Sequence, residues 1–380
     1  MSFIRNFKSQ FKLKYHINTI AIFVFLIAMI ICNQVGILNR SYAGLLVRIG
    51  YSAILAVSLN LVVGFLGELS LGHAGFMCVG AYLGCFFADI LQKTVSAQWI
   101  VLVLSVLIGG AVAALFGFLI GLPALRLKGD YLAIVTLAFG EIVRNIFKNV
   151  PLFGAEKGLI TDAIQMDAKK LFVVCFIVLL LVVVFSQNLI RSKHGRAITA
   201  IRDNEIAARA MGINVTYYKL FVFTISAFFA GVAGVLFGYC TNPITYGTFS
   251  YNYSIEILVM VVLGGMSNIR GSIISAALIT FVNFKLQSML TGKLAALKLL
   301  IYAAILVVVV LLNNAPALKP FKEQIGIGAV RRRAAMRRNK PEVIHDDDAQ
   351  WNRIDTKIEM NEVLSVDVNI SDDNADREDK

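Results

Sequence analysis

Charge is scarce in this chain, and so are proline, histidine and tryptophan. Only 16% of the 380 residues are charged, with six Pro, four His and two Trp. An average soluble domain carries about 25% charged residues, so this composition cannot supply a water-facing surface of ordinary size. Mean hydropathy is +0.73 and 58% of the residues are hydrophobic, which excludes disordered, collagen-like and coiled-coil classes. The five cysteines, Cys32, Cys78, Cys85, Cys175 and Cys240, all fall inside apolar runs. An odd count in such places argues against a disulfide framework, and no spacing resembles a metal site. There is no Gly-x-x-x-x-Gly-Lys-Ser/Thr phosphate loop, so the chain cannot hydrolyse ATP by that route alone. No small-residue cleavage site accompanies the first apolar run, which therefore reads as a spanning helix and not as a signal peptide.

What is present is apolar length. A spanning helix needs roughly 20 mostly apolar residues. The qualifying runs are Ile17–Leu38, Tyr42–Leu66, Leu71–Ile90, Trp99–Leu122, Tyr131–Phe147, Leu171–Ile190, Tyr217–Cys240, Ile255–Met266, Gly271–Leu290 and Leu294–Asn313. The expected fold is an all-α, polytopic transmembrane bundle of about ten spans, with eight or nine as alternatives. The fifth and eighth runs are short, and the eighth suits a half-helix or re-entrant piece. Gly72, Gly75, Gly80 and Gly84, then Gly109, Gly110, Gly117 and Gly121, then Gly231, Gly234 and Gly238 stud the runs at close spacing. Small residues so spaced let helix backbones approach.

The net charge of +12 marks orientation and does not require nucleic acid. The segment from Lys322 to Lys380 holds 11 basic and 14 acidic residues, leaving 25 basic and 10 acidic for the rest. Lys and Arg favour the cytoplasmic side. Placing Arg5, Lys8, Lys12 and Lys14 inside also puts inside Arg126, Lys128, the cluster from Arg191 to Arg209, Arg270 and the run from Arg331 to Arg338. Both termini are thus expected in the cytoplasm. The organisation is a basic arm, 1–16; a membrane domain, 17–320, interrupted by a cytoplasmic loop, 191–216; and a tail, 321–380, too polar to order itself. The tail's basic part would meet anionic lipid.

Two loops are long, Lys148 to Lys170 outside and Arg191 to Thr216 inside. The inside loop is too polar to span and too regular for a coil. Asp203 or Asn204 can cap a short helix whose first turn includes Glu205, and Gly212 can end it. One or two short amphipathic helices at the membrane surface are expected, either as a solvated connector or lipid-surface helix or as a docking element.

Ionisable and polar groups at membrane depth are costly. Glu141 and Arg144 lie three apart on one helix face and can pair, fixing packing or touching substrate. Glu256 opens the eighth run, as an interfacial residue or a gate. Arg48 sits two turns inside the second run and can snorkel. Ser70 can cap the third run. His73, among Gly72, Ala74 and Gly75, reads as a packing residue with a backbone partner, or as a gating contact. Thr136 joins Ser70, His73, Glu141, Arg144 and Glu256 as a candidate pathway or gate residue.

The loop Gly195 to Gly212 is similar to the Glu-Ala-Ala…Gly coupling loop of ATP-binding-cassette importer permeases. Leu69-Ser-Leu-Gly-His-Ala-Gly-Phe76, Leu125-Arg-Leu-Lys-Gly-Asp-Tyr131, Ile134-Val-Thr-Leu-Ala-Phe-Gly-Glu-Ile-Val-Arg-Asn145 and Val262-Leu-Gly-Gly-Met-Ser-Asn-Ile-Arg-Gly271 together resemble the LivM-type permease of the branched-chain amino-acid importer. The resemblance runs from about Asn60 to Ala277. It implies alternating-access transport of branched-chain or similar small amino acids in a prokaryotic plasma membrane. It also implies a LivH-type permease partner, an extracytoplasmic binding protein, and two cytoplasmic ATPase subunits that bind ATP and Mg; this chain is then a transport subunit, with no cofactor of its own. Arg202, Asp203, Glu205, Ala208, Arg209 and Gly212 become candidates for coupling to the ATPase. The stretch Leu152-Phe-Gly-Ala-Glu-Lys-Gly-Leu159 departs from the Thr-Gly-Gly-rich pattern of many relatives, so urea, amides or another small solute are alternative cargo. A secondary transporter would need an ion site at the midplane, whereas the acids here sit near span ends.

Overall fold

The computed structural model describes residues 22, 29, 30 and 39–289, except 96, 128, 162 and 163. The run Ile17–Leu38 apart from residues 22, 29 and 30, the run Leu294–Asn313, the arm 1–16 and the tail 321–380 lie outside these. The described residues form ten α-helices. They are α1 (Arg40–Asn60), α2 (His73–Thr94), α3 (Gln98–Ala124), α4 (Asp130–Asn149), α5 (Ala168–Arg191), α6 (Lys193–Asp203), α7 (Glu205–Ala210), α8 (Val215–Gly238), α9 (Tyr251–Gly264) and α10 (Ile269–Met289). No strand occurs among them; a single antiparallel bridge joins Leu159 to Ile244.

Six helical segments are long and apolar enough to cross a membrane: Arg40–Leu66, His73–Thr94, Gln98–Ala124, Ala168–Arg191, Val215–Gly238 and Ile269–Leu286. The two weak runs behave as their composition dictates. The helix α4 carries Asp130, Glu141, Arg144 and Lys148, and α9 has only 14 residues. The chain is a multi-pass membrane protein. Its surface agrees with this: α3 exposes Trp99, Ile100, Val103, Leu107, Leu115, Phe118, Leu119 and Leu122, a patch of a size that soluble monomers avoid.

Two helices form the interior. From Gly50 to its end α1 is wholly buried, packed among α5, α8, α9 and α10. The helix α8 is the other hub, against α3, α2 and α1. Its approach to α2 is set by glycine. A methyl group on Gly80 would collide with the Gly231 backbone, and one on Gly234 with the Met77 carbonyl. Small residues here trade side-chain burial for backbone contact, as expected where lipid removes the usual hydrophobic drive between helices.

Continuing α1, residues Leu61–Leu66 form a π-helical segment that ends at Gly67 with φ 82°. The wider turn leaves the Gly64 carbonyl free for partners outside the helix, and two elements use it.

Aromatic rings pack the end of the bundle where α8 stops. Tyr82 stacks on Phe147 at 4.5 Å, Phe153 meets Phe147 at 5.0 Å, and the Tyr82 hydroxyl donates to the Ile244 carbonyl at 3.0 Å. The bridge at Leu159 and the Thr161 backbone N–H, which donates to Asn242 Oδ1 at 3.1 Å, fasten the 148–170 loop to the 239–250 loop.

Candidate functional site: the loop between α5 and α8 and its attachment to the bundle

Residues 191–216 fold into two short helices, each with a side-chain cap. Ser192 Oγ accepts from His194 N at 3.1 Å and Gly195 N at 3.3 Å. Asn204 Oδ1 accepts from Ala207 N at 3.0 Å and so opens α7. Each such cap contributes about 1 kcal/mol. Of the two residues expected to cap α7, Asn204 does so, while Asp203 pairs with Arg202 at 2.7 Å. After α7 the chain turns at Gly212, whose φ of 81° favours a residue without a Cβ.

The loop is fastened to the bundle on its inner side. Arg202 Nη1 donates to Ser267 Oγ at 2.8 Å and to the Gly64 carbonyl at 3.4 Å. Ser267 Oγ donates to the same carbonyl at 2.6 Å. Ser267 N donates to Asn60 Oδ1 at 3.0 Å, and Asn60 Nδ2 to Ser272 Oγ at 2.9 Å. One buried amide thus joins the end of α1 to the α9–α10 turn at Ser267 and to the first turn of α10 at Ser272, and α6 rests on that junction through Arg202.

The second attachment is ionic. Lys219 lies one turn into α8 and is 4% exposed. Its ammonium meets Glu68 Oε1 at 2.5 Å and Glu205 Oε2 at 3.1 Å. The other oxygen of Glu205 accepts from Arg209 at 2.9 Å. Four groups from three elements therefore alternate in sign and sum to zero charge. Lys219 and Asn60 carried no signal in the expected site; one charged and one amide residue inside apolar runs were the available clue.

Of the six expected coupling residues, Ala208 is buried, Glu205 turns inward to Lys219, and Arg202 is tied down to Ser267. Asp203, Arg209 and Gly212 are exposed. The outer face also presents two apolar side chains outside those six, Ile206 at 81% and Met211 at 83% exposure.

The remaining candidates fall into separate places. His73 Nε2 lies 2.7 Å from Ser58 Oγ and 3.2 Å from Ser226 Oγ. Its partners are thus hydroxyls of α1 and α8, and not the expected backbone group. The two serines also clasp each other, Ser226 Oγ donating to the Ser58 carbonyl at 2.6 Å and Ser58 Oγ to the Ser226 carbonyl at 3.1 Å. Ser70 does not cap α2. That helix begins only at His73, with Gly72 at the cap position, and Ser70 Oγ is buried without a partner. The free N–H groups before and within the first turn are served from other helices instead. Thr136 Oγ1 accepts from Leu71 N at 3.0 Å, and Ser254 Oγ from Ala74 N at 3.1 Å.

Glu141 and Arg144 pair as expected, at 2.6 Å. Glu141 also accepts from Tyr251 N at 3.0 Å, so it anchors the start of α9 to α4. Glu256 Oε1 accepts from Asn283 Nδ2 at 3.3 Å, between α9 and α10. Among the described residues no group of three His, Cys, Asp or Glu is placed to hold a metal ion.

Residues 41–310 match the family described as branched-chain amino acid transport system / permease component. The chain belongs to this permease family. It is 39% identical over 257 residues to the high-affinity branched-chain amino acid transport system permease protein LivM of Salmonella typhimurium, covering 60% of this chain and 59% of that relative. It is 38% identical over 265 residues to the LivM protein of Escherichia coli K12, covering 62% and 60%. The chain thus spans about three fifths of the length of these curated relatives. Identity to the LivH permease protein of Salmonella typhimurium is 21% over 247 residues, or 60% of this chain and 79% of the relative. The likeness is therefore to the LivM type. No solved structure matches the chain. All the clusters described above, including Lys219, Asn60 and the His73 triad, fall inside the span that matches the permease family.

Proposed function

We propose that this chain is a membrane-spanning permease subunit of an ATP-driven importer for branched-chain amino acids in a prokaryotic plasma membrane. The observation that carries the reading is the surface loop of α6 and α7. It is helical and capped, held to the bundle through Arg202 and Glu205, and presents Ile206 and Met211 outward. Exposed apolar side chains on a polar loop suit docking to a partner protein. In this reading the loop is cytoplasmic and seats in an ATPase subunit, and ATP binding by two such subunits moves it. The spans then switch access between the two sides of the membrane.

The partners are a LivH-type permease, the two ATPase subunits and an extracytoplasmic binding protein, in keeping with the paired LivM and LivH relatives. A pathway of small and apolar side chains suits aliphatic amino acids delivered by a binding protein, since tight binding at mid-membrane would slow release. The test is purification of the tagged chain, followed by reconstitution with its binding protein. The expected result is co-purification of two ATPase subunits and a second permease, with ATP-dependent uptake of leucine, isoleucine or valine. Uptake of urea or a large polar solute in their place would overturn the cargo, and uptake driven by an ion gradient without ATPase subunits would overturn the class.

A further inference from the structure

We propose that Lys219 is the positioning residue through which displacement of α7 passes to α8, with Glu68 and Glu205 holding its ammonium from two other elements. The proposal rests on the reading of the α6–α7 loop as the docking element.

The backbone between α7 and α8 is a weak transmitter. Only Met211 to Asn214 separate the two helices; the Gly212 and Ile213 N–H groups bond back to the Arg209 and Ala208 carbonyls and close α7, while Asn214 caps α8, so the turn is tied to each helix separately. A push on α7 could be absorbed there with α8 left in place. The ionic contact removes that slack, because Glu205 is the first residue of α7 and bonds directly to the second turn of α8. Coulomb attraction in a partly dry setting is several times stronger than in water. The Lys219 side chain is 5% exposed, against 12% for Glu68 and 22% for Glu205. Glu68 adds the segment between α1 and α2 to the same ammonium.

Beyond Lys219, α8 has no slack to absorb the motion. Gly231 and Gly234 set it backbone to backbone against α2, and Ser226 ties it to Ser58 of α1 and His73 of α2. A helix packed this closely moves with its neighbours or not at all. The burial of a lysine where α8 needs only an apolar residue has a purpose on this account: it joins the outer loop to the interior.

The experiment uses the complete importer in liposomes and reads leucine transported per ATP hydrolysed, with subunit retention measured in parallel. Lys219→Met is expected to keep the ATPase subunits and basal hydrolysis, while transport per ATP falls by roughly tenfold or more, the scale of a typical coupling free energy. Lys219→Arg, which keeps both ion pairs, is expected to restore most of the loss. Glu68→Gln and Glu205→Gln should each give part of it and add nothing in the Lys219→Met background. Normal transport per ATP in Lys219→Met overturns the proposal. So does a loss that follows loss of assembled complex and is not returned by arginine. Should Lys219→Met not insert, normal stoichiometry in both glutamine variants overturns it equally. Met211→Asp separates the two readings. If it leaves the ATPase subunits bound, the docking reading fails; if it releases them while Lys219→Met couples normally, the clasp alone fails.

Discussion

Lys219 Nζ and Glu205 Oε2 meet at 3.1 Å across fourteen residues of sequence, and the contact joins a surface helix to α8, one of the two helices that form the interior. Glu205, one of the candidates for coupling, turns toward the bundle because a buried ammonium leaves a carboxylate nearby little choice. The outer face is left to Asp203, Arg209, Ile206 and Met211.

Glu68→Gln leaves the Lys219 ammonium with one carboxylate in place of two. Loss of a charged hydrogen bond at a mostly buried site costs about 1–3 kcal/mol. The purified permease in detergent is expected to melt at lower temperature, and Glu205→Gln, at the more exposed contact, to melt less low. Equal melting of both variants and the parent would show that the pair does not stabilise the fold.

Ile206→Asp should barely change stability, within about 0.5 kcal/mol, because the side chain is already in solvent. Its effect is expected in pull-downs with the ATPase subunits, where retention falls. A variant that melts early and still retains the ATPase would place Ile206 in the fold and not on the docking face.

Gly80→Val forces a branched side chain into the Gly231 backbone. Overpacking costs about 1–3 kcal/mol and more where backbone must shift, so reduced abundance in membranes and a lower melting temperature are expected. Gly44→Ala on α1, where nothing lies within 4 Å of the added carbon, is the matched control and should be neutral or slightly stabilising. Equal behaviour of the two would contradict the close α2–α8 crossing.

Ser58→Ala and Ser226→Ala are expected to be non-additive. Each serine donates to the other's backbone carbonyl and approaches the same His73 nitrogen. Interaction energies for such contacts run about 0.5–3 kcal/mol in double-mutant cycles. Additive losses in chemical denaturation would mean that the three groups do not act as one cluster.

The sequence by itself determined the class and the local devices. Apolar length gives membrane helices, and the charges of α4 and the shortness of α9 mark them as weak spans. Asn204 and Gly212 open and follow α7 by rules that act within a few residues of chain. The Glu141–Arg144 pair was legible for the same reason, a spacing of one helical turn.

Only the tertiary structure decided what the isolated polar groups do. Ser70 is a reasonable cap by position, yet α2 starts three residues later and takes its partners from Thr136 and Ser254 on other helices. His73 has its hydroxyls from α1 and α8, Asn60 its partners from the α9–α10 turn and from α10, and Lys219 its carboxylates from Glu68 and Glu205. None of these pairings has a sequence period, because each depends on how glycine contacts bring separate helices to backbone distance. A buried polar group must find a partner wherever packing places one, and the packing is settled by the whole chain.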